Sequence, residues 1–144
     1  QNVDTYEFEP DALQASHRLK ILLSLQVTHH LIKNFIQGEA PLTVSEISKH
    51  LEIPIRLVND IIFGLVKTNI VSETGAADDG ERRYQPARDI NVLTIQYVIE
   101  ALERRGINQM PFAHSPEFDS LSESIETFRE TVEKLPANKL LKEL

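Results

Sequence analysis

Residues 41–71 read PLTVSEISKHLEIPIRLVNDIIFGLVKTNIV, and this stretch is the part of the sequence that most clearly predicts the fold. Thr43 followed by Glu46 is a capping-box pair, which opens a short helix. Pro54 suits the start of a second helix, because its missing N–H costs no hydrogen bond there. Two short helices joined by a tight turn at residues 52–53 are typical of a helix-turn-helix.

A hairpin and a further helix follow the helix-turn-helix. Ile70–Glu73 and Arg82–Gln85 are extended stretches on either side of GAADDGE, which is rich in Gly and Asp. A hairpin in this place is a wing. Thr94–Arg105 has apolar residues at helical spacing and ends before Gly106, which is typical of an amphipathic helix.

Two more helices are predicted at the ends of the chain. The stretch from Asp11 to Gln37 contains neither Gly nor Pro and predicts one long helix, either capped by Asp11 or broken near residues 15–17. Ser120 with Glu123 is a second capping-box signal, and apolar residues recur behind it at alternating spacings of four and three. We call them the seam: Leu121, Ile125, Phe128, Val132 and Leu135.

The fold class is therefore mainly α with a small β wing: a winged helix-turn-helix with a long N-terminal helix and a C-terminal amphipathic helix. We divide the chain into a lead-in at 1–10, a winged-helix domain at 11–106, a linker at 107–119, and an amphipathic helix with its tail at 120–144. The seam has two interpretations, packing on the long first helix or contact with a second chain. The predicted core of the winged helix contains Ile47, Leu51, Val58, Ile61, Ile62, Leu65, Ile95, Val98 and Leu102.

Composition excludes several kinds of chemistry. The chain has 144 residues, of which 41% are hydrophobic and 26% charged, as expected of a globular domain. It has no cysteine, which excludes disulfides, thiolate zinc sites and cysteine-bound iron–sulfur clusters. The net charge of −7 opposes nucleic-acid binding, because phosphate neutralisation supplies most non-specific affinity.

If the winged helix does contact nucleic acid, two regions supply the residues. Arg56, Asn59 and Lys67 belong to the second helix of the helix-turn-helix, and Arg82 and Arg83 to the wing. Acidic neighbours work against both regions, Asp60 on the helix and Asp78, Asp79 and Glu81 in the wing.

The histidines give no metal site by spacing. His29 and His30 are adjacent, so they point about 100° apart on a helix, and His17 lies too far along it to join them. His50 and His114 are remote in sequence. We also find no phosphate-binding loop, and therefore predict no catalytic residue, no metal and no cofactor.

Three elements of the sequence resemble one known family. They are LT..EI...L.IP.RLV at residues 42–58, YQPARD at 84–89 and T.Q.V..AL at 94–102. In this order they resemble the C-terminal cytoplasmic region of the YihY/BrkB family, bacterial inner-membrane proteins labelled ribonuclease BN-like. The opening QNVDTYEFEPDALQASHRLK resembles the segment after that family's last transmembrane helix. The start at Gln1, without an initiator methionine, predicts a piece of a longer polypeptide.

A second resemblance is to winged-helix repressors that hold an iron–sulfur cluster. It rests on the order of helix, wing, P-A-R and T-x-x-x-V. Those proteins bind the cluster through cysteines after the wing, and this chain has none. The cluster-sensing interpretation is excluded on that ground.

The YihY/BrkB resemblance implies a non-catalytic regulatory or protein-interaction module. It would be attached to a membrane-spanning region upstream and lie on the cytoplasmic side of the bacterial inner membrane. Its partners would be proteins or a second copy of the chain, and nucleic acid is not expected. The alternative is a winged-helix nucleic-acid-binding transcription regulator, and the third interpretation is a ribonuclease accessory domain. The family's ribonuclease label finds no support in these residues.

Overall fold

A computed structural model describes residues 14–75, 80–106 and 110–144. Its helices and strands follow in this order: α1 (His17–Ile36), β1 (Leu42–Thr43), α2 (Val44–Leu51), α3 (Ile55–Lys67), β2 (Val71–Thr74), β3 (Arg83–Pro86), α4 (Ile95–Glu103), α5 (Pro116–Glu133) and a 3₁₀ helix (Leu141–Glu143). The predicted fold class, mainly helical with a small wing, is confirmed.

Helix α1 begins at His17, six residues after the predicted start at Asp11, and its buried face contains two polar residues. Ser16 caps it by accepting a hydrogen bond from the backbone N–H of Leu19 at 3.1 Å. The predicted cap Asp11 lies outside the described residues. Buried Ser24 and Thr28 donate their hydroxyls to carbonyls one turn earlier, so polar side chains are satisfied on the buried face.

The turn between α2 and α3 is fixed by local hydrogen bonds. The Thr43 hydroxyl accepts from the Glu46 N–H at 3.1 Å, and the Glu46 carboxylate accepts from the Thr43 N–H at 2.9 Å, which completes the predicted capping box. Glu52 ends α2 with a left-handed φ of 55°. The Ser48 hydroxyl donates to the Ile53 carbonyl at 2.6 Å, which holds the turn into α3.

The wing is part of a three-stranded antiparallel sheet in the order β1-β3-β2. Val71 pairs with Pro86 and Thr74 with Arg83, so the hairpin strands each begin one residue later than predicted. Strand β1 was not predicted, and it pairs Leu42 with Tyr84. It joins the wing to the segment just before α2.

The core lies where α1, α2, α3, α4 and the sheet meet. Six of the nine predicted core residues are buried, and Leu51, Ile95 and Leu102 are half-buried against them. The fully or nearly fully buried hydrophobic residues are Val27, Leu31, Ile32, Leu42, Ile47, Ile53, Leu57, Val58, Ile61, Ile62, Leu65, Ile70, Val71, Leu93, Val98 and Leu141.

Helix α5 stands apart from this core. It begins at Pro116 under a cap from Ser115, four residues before the predicted start at Ser120, and none of its residues is buried. Arg129 connects it to α4 through an ion pair with Glu100 at 3.3 Å.

The tail after α5 returns to the domain. Leu141 is fully buried, and its N–H donates to the Leu93 carbonyl at 2.9 Å. The Asn138 side-chain oxygen accepts from the Gln96 N–H at 2.8 Å. These contacts hold the C-terminal end of α5 near the body, while none of the residues of the helix itself is buried.

Candidate nucleic-acid interface

The first half of α3 presents polar side chains on the face opposite the core. Leu57, Val58 and Ile61 are buried, whereas Arg56 and Asn59 are exposed. This division follows from the helical period, since buried and exposed positions alternate around one axis. In a helix-turn-helix, residues near the start of the second helix contact base edges in the major groove.

The negative charge of Asp60 on the exposed face of α3 is offset by a lysine of α1. Asp60 forms an ion pair with Lys20 of α1, with 3.2 Å between the lysine Nζ and the carboxylate. Sequence reasoning counted Asp60 as repelling phosphate and missed Lys20, because 40 positions separate the two residues and only the packing of α1 on α3 joins them. The pair lowers the local negative charge beside Arg56 and Asn59.

The structure separates Lys67 from the other candidates on α3. It lies eleven positions after Arg56, which is about 16 Å along a helix. Its ammonium lies over the exposed ring of Phe63, 5.4 Å from the centroid, and the guanidinium of Arg105, just after α4, lies 5.0 Å from the same centroid. Lys67 therefore belongs to a cluster at the far end of α3.

The two wing arginines have different surroundings. The guanidinium of Arg83 donates to the Pro41 carbonyl and to the Glu46 carboxylate, both at 3.1 Å, and its side chain is 25% exposed. Arg82 is 69% exposed and lies 3.5 Å from the Glu73 carboxylate. Arg83 thus holds the wing against the start of α2, and Arg82 faces solvent.

Glu46 is the acidic partner in this anchor. Its hydrogen bond from the Thr43 backbone is the largest cause of its lowered pKa, and the hydroxyl of Thr43 and the charge of Arg83 lower the pKa further against the opposing effect of burial. The carboxylate therefore stays ionised while it joins the capping box to the wing. The acidic tip residues Asp78 and Asp79 lie outside the described residues.

Charge is distributed unevenly along the chain. Residues 14–106 contain eleven Lys and Arg and eleven Asp and Glu. Residues 1–13 contain four acids and no base, and residues 107–144 contain seven acids and four bases. The net charge of −7 therefore comes from segments outside the winged helix, whose own residues balance.

Histidines meet in a way that the spacing did not predict. His30 Nε2 of α1 lies 3.0 Å from His50 Nδ1 of α2. His29 instead contacts the Leu141 carbonyl through Nδ1 at 2.8 Å. Spacing within one helix could not have found the first pair, which depends on how α2 packs on α1. Within residues 14–75, 80–106 and 110–144, no three or more His, Cys, Asp or Glu side chains gather as a metal site.

The predicted seam is exposed along its whole length. Its residues are between 36% and 66% exposed, with Leu121 at 66%, Ile125 at 64% and Phe128 at 62%. The seam therefore does not pack on α1, the first of its two interpretations. An apolar stripe of this kind on one helix is typical of a surface that contacts another chain.

Comparison with known proteins finds similarity in structure. No protein-family model and no curated protein matches the sequence. The chain is similar to IscR from T. potens, with a TM-score of 0.57 and 19% identity over 90% of this chain and 86% of that one. It is also similar to CymR, the global cysteine regulator of B. subtilis, with a TM-score of 0.58 and 17% identity over 89% and 92%. For CymR from Staphylococcus aureus the TM-score is 0.54 and the identity 16%, over 85% and 95%.

These neighbours correct the predicted family. The resemblance to YihY/BrkB (ribonuclease BN-like) proteins was wrong, because the neighbours that share this architecture are regulators. The motifs that suggested it, from LT..EI to T.Q.V..AL, build the capping box, α3 and α4, so they report the winged helix rather than a membrane-protein parent. Among the described residues, no helix is both long enough and apolar enough to cross a membrane.

The predictions that depended on that family are wrong with it. They are the membrane-protein interaction module, the attachment to an upstream membrane-spanning region and the location at the inner membrane. The exclusion of nucleic acid as a partner was also wrong, given regulator neighbours. It rested on the charge of the whole chain, which the winged helix does not carry.

Proposed function

We propose that this chain is a DNA-binding winged-helix transcription regulator of the Rrf2 type, acting as a dimer. One observation carries the proposal: α3 exposes Arg56 and Asn59 on its first two turns while Lys20 compensates the neighbouring Asp60. A recognition helix needs side chains of this kind at its N-terminal end. The regulator neighbours support the same function.

The base-reading residues would be Arg56 and Asn59. An arginine can donate two hydrogen bonds to O6 and N7 of guanine, and an asparagine can form a bidentate pair with adenine. With α3 in the major groove, α2 would cross the phosphate backbone, as the first helix of a helix-turn-helix does. Exposed Lys49 on α2 would then supply a phosphate contact.

The wing would fix the position of the protein on the DNA and would not read the base sequence. Arg82 is exposed and can neutralise a phosphate, a contact that fixes register without reading sequence. Arg83 would act indirectly, because its bonds to Pro41 and Glu46 set the wing against α2. We assign no direct contact to Lys67, which lies at the opposite end of α3.

Dimerisation would use the seam of α5. Its apolar residues are exposed on a helix that contains no buried residue, and a second copy could bury them by twofold pairing. Two winged helices related in this way would place their α3 helices on successive major grooves, about 34–36 Å apart. The preferred DNA site would then be palindromic.

We also infer that the chain is not an enzyme. The regulator neighbours support this inference. Ribonuclease accessory activity has no feature in its favour, since the histidines His29 and His30 are directed to different partners, Leu141 and His50.

In vitro selection from a random-sequence duplex library tests the proposal. The untagged chain should enrich a sequence with two inverted half-sites separated by about 10–10.5 base pairs, centre to centre. The Arg56→Ala, Asn59→Ala double variant should enrich none, and Lys67→Ala should enrich the same sequence as the wild type. Failure of the wild type to enrich any sequence would overturn the proposal, and enrichment of asymmetric single sites would overturn its dimeric part.

A further inference from the structure

Two imidazole nitrogens face each other between α1 and α2. His30 Nε2 and His50 Nδ1 are 3.0 Å apart, and the ring planes meet edge to face at 77°. His30 is half-buried near the middle of α1, and His50 is exposed in the last turn of α2. The contact joins the first helix of the helix-turn-helix to the helix beneath it.

The distance between the nitrogens suits a shared metal ion. Imidazole nitrogens bind zinc at about 2.0–2.1 Å, so two of them lie about 2.9 Å apart at a right angle and about 3.4 Å apart at the tetrahedral angle. The observed 3.0 Å falls within this interval. In the hydrogen-bonded form one facing nitrogen carries a proton, and metal binding requires that proton to move to the far nitrogen of the same ring.

We propose that His30 and His50 form a two-imidazole site for a divalent transition metal of the copper, nickel and zinc class. Water would complete the coordination, since these two side chains supply only two ligands. Imidazole suits this class of metal ion, and Cu²⁺ should bind more tightly than Ni²⁺ or Zn²⁺. The proposal goes beyond DNA binding and does not depend on it.

The neutral imidazole ring is the form that binds metal, and His30 directs its Nε2 toward His50. His29 does not compete for this ion, because its Nδ1 contacts the Leu141 carbonyl from another side of α1.

A carboxylate near the site favours a cation. Glu46 lies one turn before His50 on the same helix, at the i, i+4 spacing that makes helical side chains neighbours. Lys33 acts in the opposite sense from α1. The site thus has one acidic and one basic neighbour, and the imidazoles decide its affinity.

A bound metal would tie the two ends of α2 to different parts of the domain. Its start is already held to the wing through Glu46 and Arg83. Its last turn would be held to α1 through His50 and the ion. Binding to the folded chain alone raises stability in proportion to the logarithm of metal concentration, so it would also appear as a higher melting temperature.

Cu²⁺ titration of the full, untagged chain tests the site. In a non-chelating buffer at neutral pH, we expect one equivalent to bind with an electron paramagnetic resonance spectrum that shows nitrogen ligands. His50→Gln should weaken binding at least tenfold, and because His50 is exposed this variant should keep the wild-type circular dichroism spectrum. His30→Gln should have the same effect on binding.

Two control variants locate the ion. His17→Gln and His114→Gln change exposed histidines elsewhere and should leave affinity unchanged. Titration of the wild type at pH 5 should show weaker binding, since both imidazoles must lose a proton to bind. Absence of saturable binding to the wild type would overturn the proposal, as would wild-type affinity in His50→Gln.

Discussion

Replacing Ile125 by alanine tests whether the seam of α5 holds two chains together. Ile125 is the second of the five seam residues and is 64% exposed in the single chain. Its neighbours along the stripe, Leu121 and Phe128, are exposed to a similar extent. If the seam is a dimer interface, this exposed area is what association buries.

The magnitude follows from that exposure. Full burial of an isoleucine side chain contributes about 1.5–3 kcal/mol, and about two thirds of this, or roughly 1–2 kcal/mol, would be gained on association. Each dimer contains two copies, so Ile125→Ala should weaken association by about 2–4 kcal/mol. At about 1.4 kcal/mol per tenfold change, the dissociation constant should rise roughly 30- to 1,000-fold.

Sedimentation velocity over a dilution series measures this change. Ile125→Asp should give monomers throughout, because it would bury a charge in the interface. Thr127→Asp places the same charge about 200° around the helix and should leave the dimer intact. A wild-type chain that is monomeric at every concentration would contradict the assignment of the seam as a dimer interface. An Ile125→Asp variant that sediments like the wild type would contradict it as well.

Three further outcomes concern the stability of the fold, and denaturant or thermal unfolding measures each. Arg83→Ala should lower the free energy of unfolding by about 1–3 kcal/mol, because it removes the donor to the Pro41 carbonyl and the charged partner of Glu46, which keeps its hydrogen bond from the Thr43 N–H. Arg82→Ala should change the free energy by less than about 0.5 kcal/mol, and equal effects would contradict the anchoring role of Arg83. Leu141→Ala should lower the free energy of unfolding by about 2–5 kcal/mol, since this side chain is fully buried. Leu144→Ala should change the free energy little, since Leu144 is 59% exposed. A Leu141→Ala variant as stable as the wild type would show that the tail does not pack on the domain. Because the folded-state pKa of Glu46 is lowered, its contribution to the free energy of unfolding is full above about pH 4.5 and is lost as the pH falls through the lowered value. Glu46→Gln should therefore be less stable than the wild type at pH 7, and the difference should shrink in acid. A difference that stays constant with pH would contradict this linkage.

Local patterns carried most of the fold. The capping box at Thr43 and Glu46 and the buried positions Val58, Ile61 and Leu65 involve neighbours three or four residues apart, so sequence spacing predicts them directly. Strand β1 was missed because it has only two residues and exists through pairing with β3, about 40 positions later. On α1, Ser24 and Thr28 satisfy their hydroxyls within the helix, so hydropathy alone does not mark these two positions as buried.

The sequence predicted only part of the candidate site. Spacing placed Arg56 and Asn59 on the exposed face of the recognition helix, but it could not distinguish them from Lys67 at the far end. The ion pair between Lys20 and Asp60 joins distant parts of the chain, so the acid was counted without its partner. The net charge concealed the balance within residues 14–106 in the same way, because it averages over segments that lie outside the winged helix.

Binding of the Asn59→Ala variant to the selected duplex tests whether the first half of α3 reads DNA. Fluorescence anisotropy at fixed salt should show a loss of about 1–3 kcal/mol relative to the wild type, roughly 5- to 150-fold in the dissociation constant, together with a relaxed preference at one base pair in each half-site. Lys67→Ala, on the same helix, should stay within about twofold of the wild type, since a surface change away from the contact has little effect. Wild-type affinity and unchanged preference in Asn59→Ala, with Lys67→Ala impaired instead, would contradict the assignment of the first half of α3 as the DNA-reading surface.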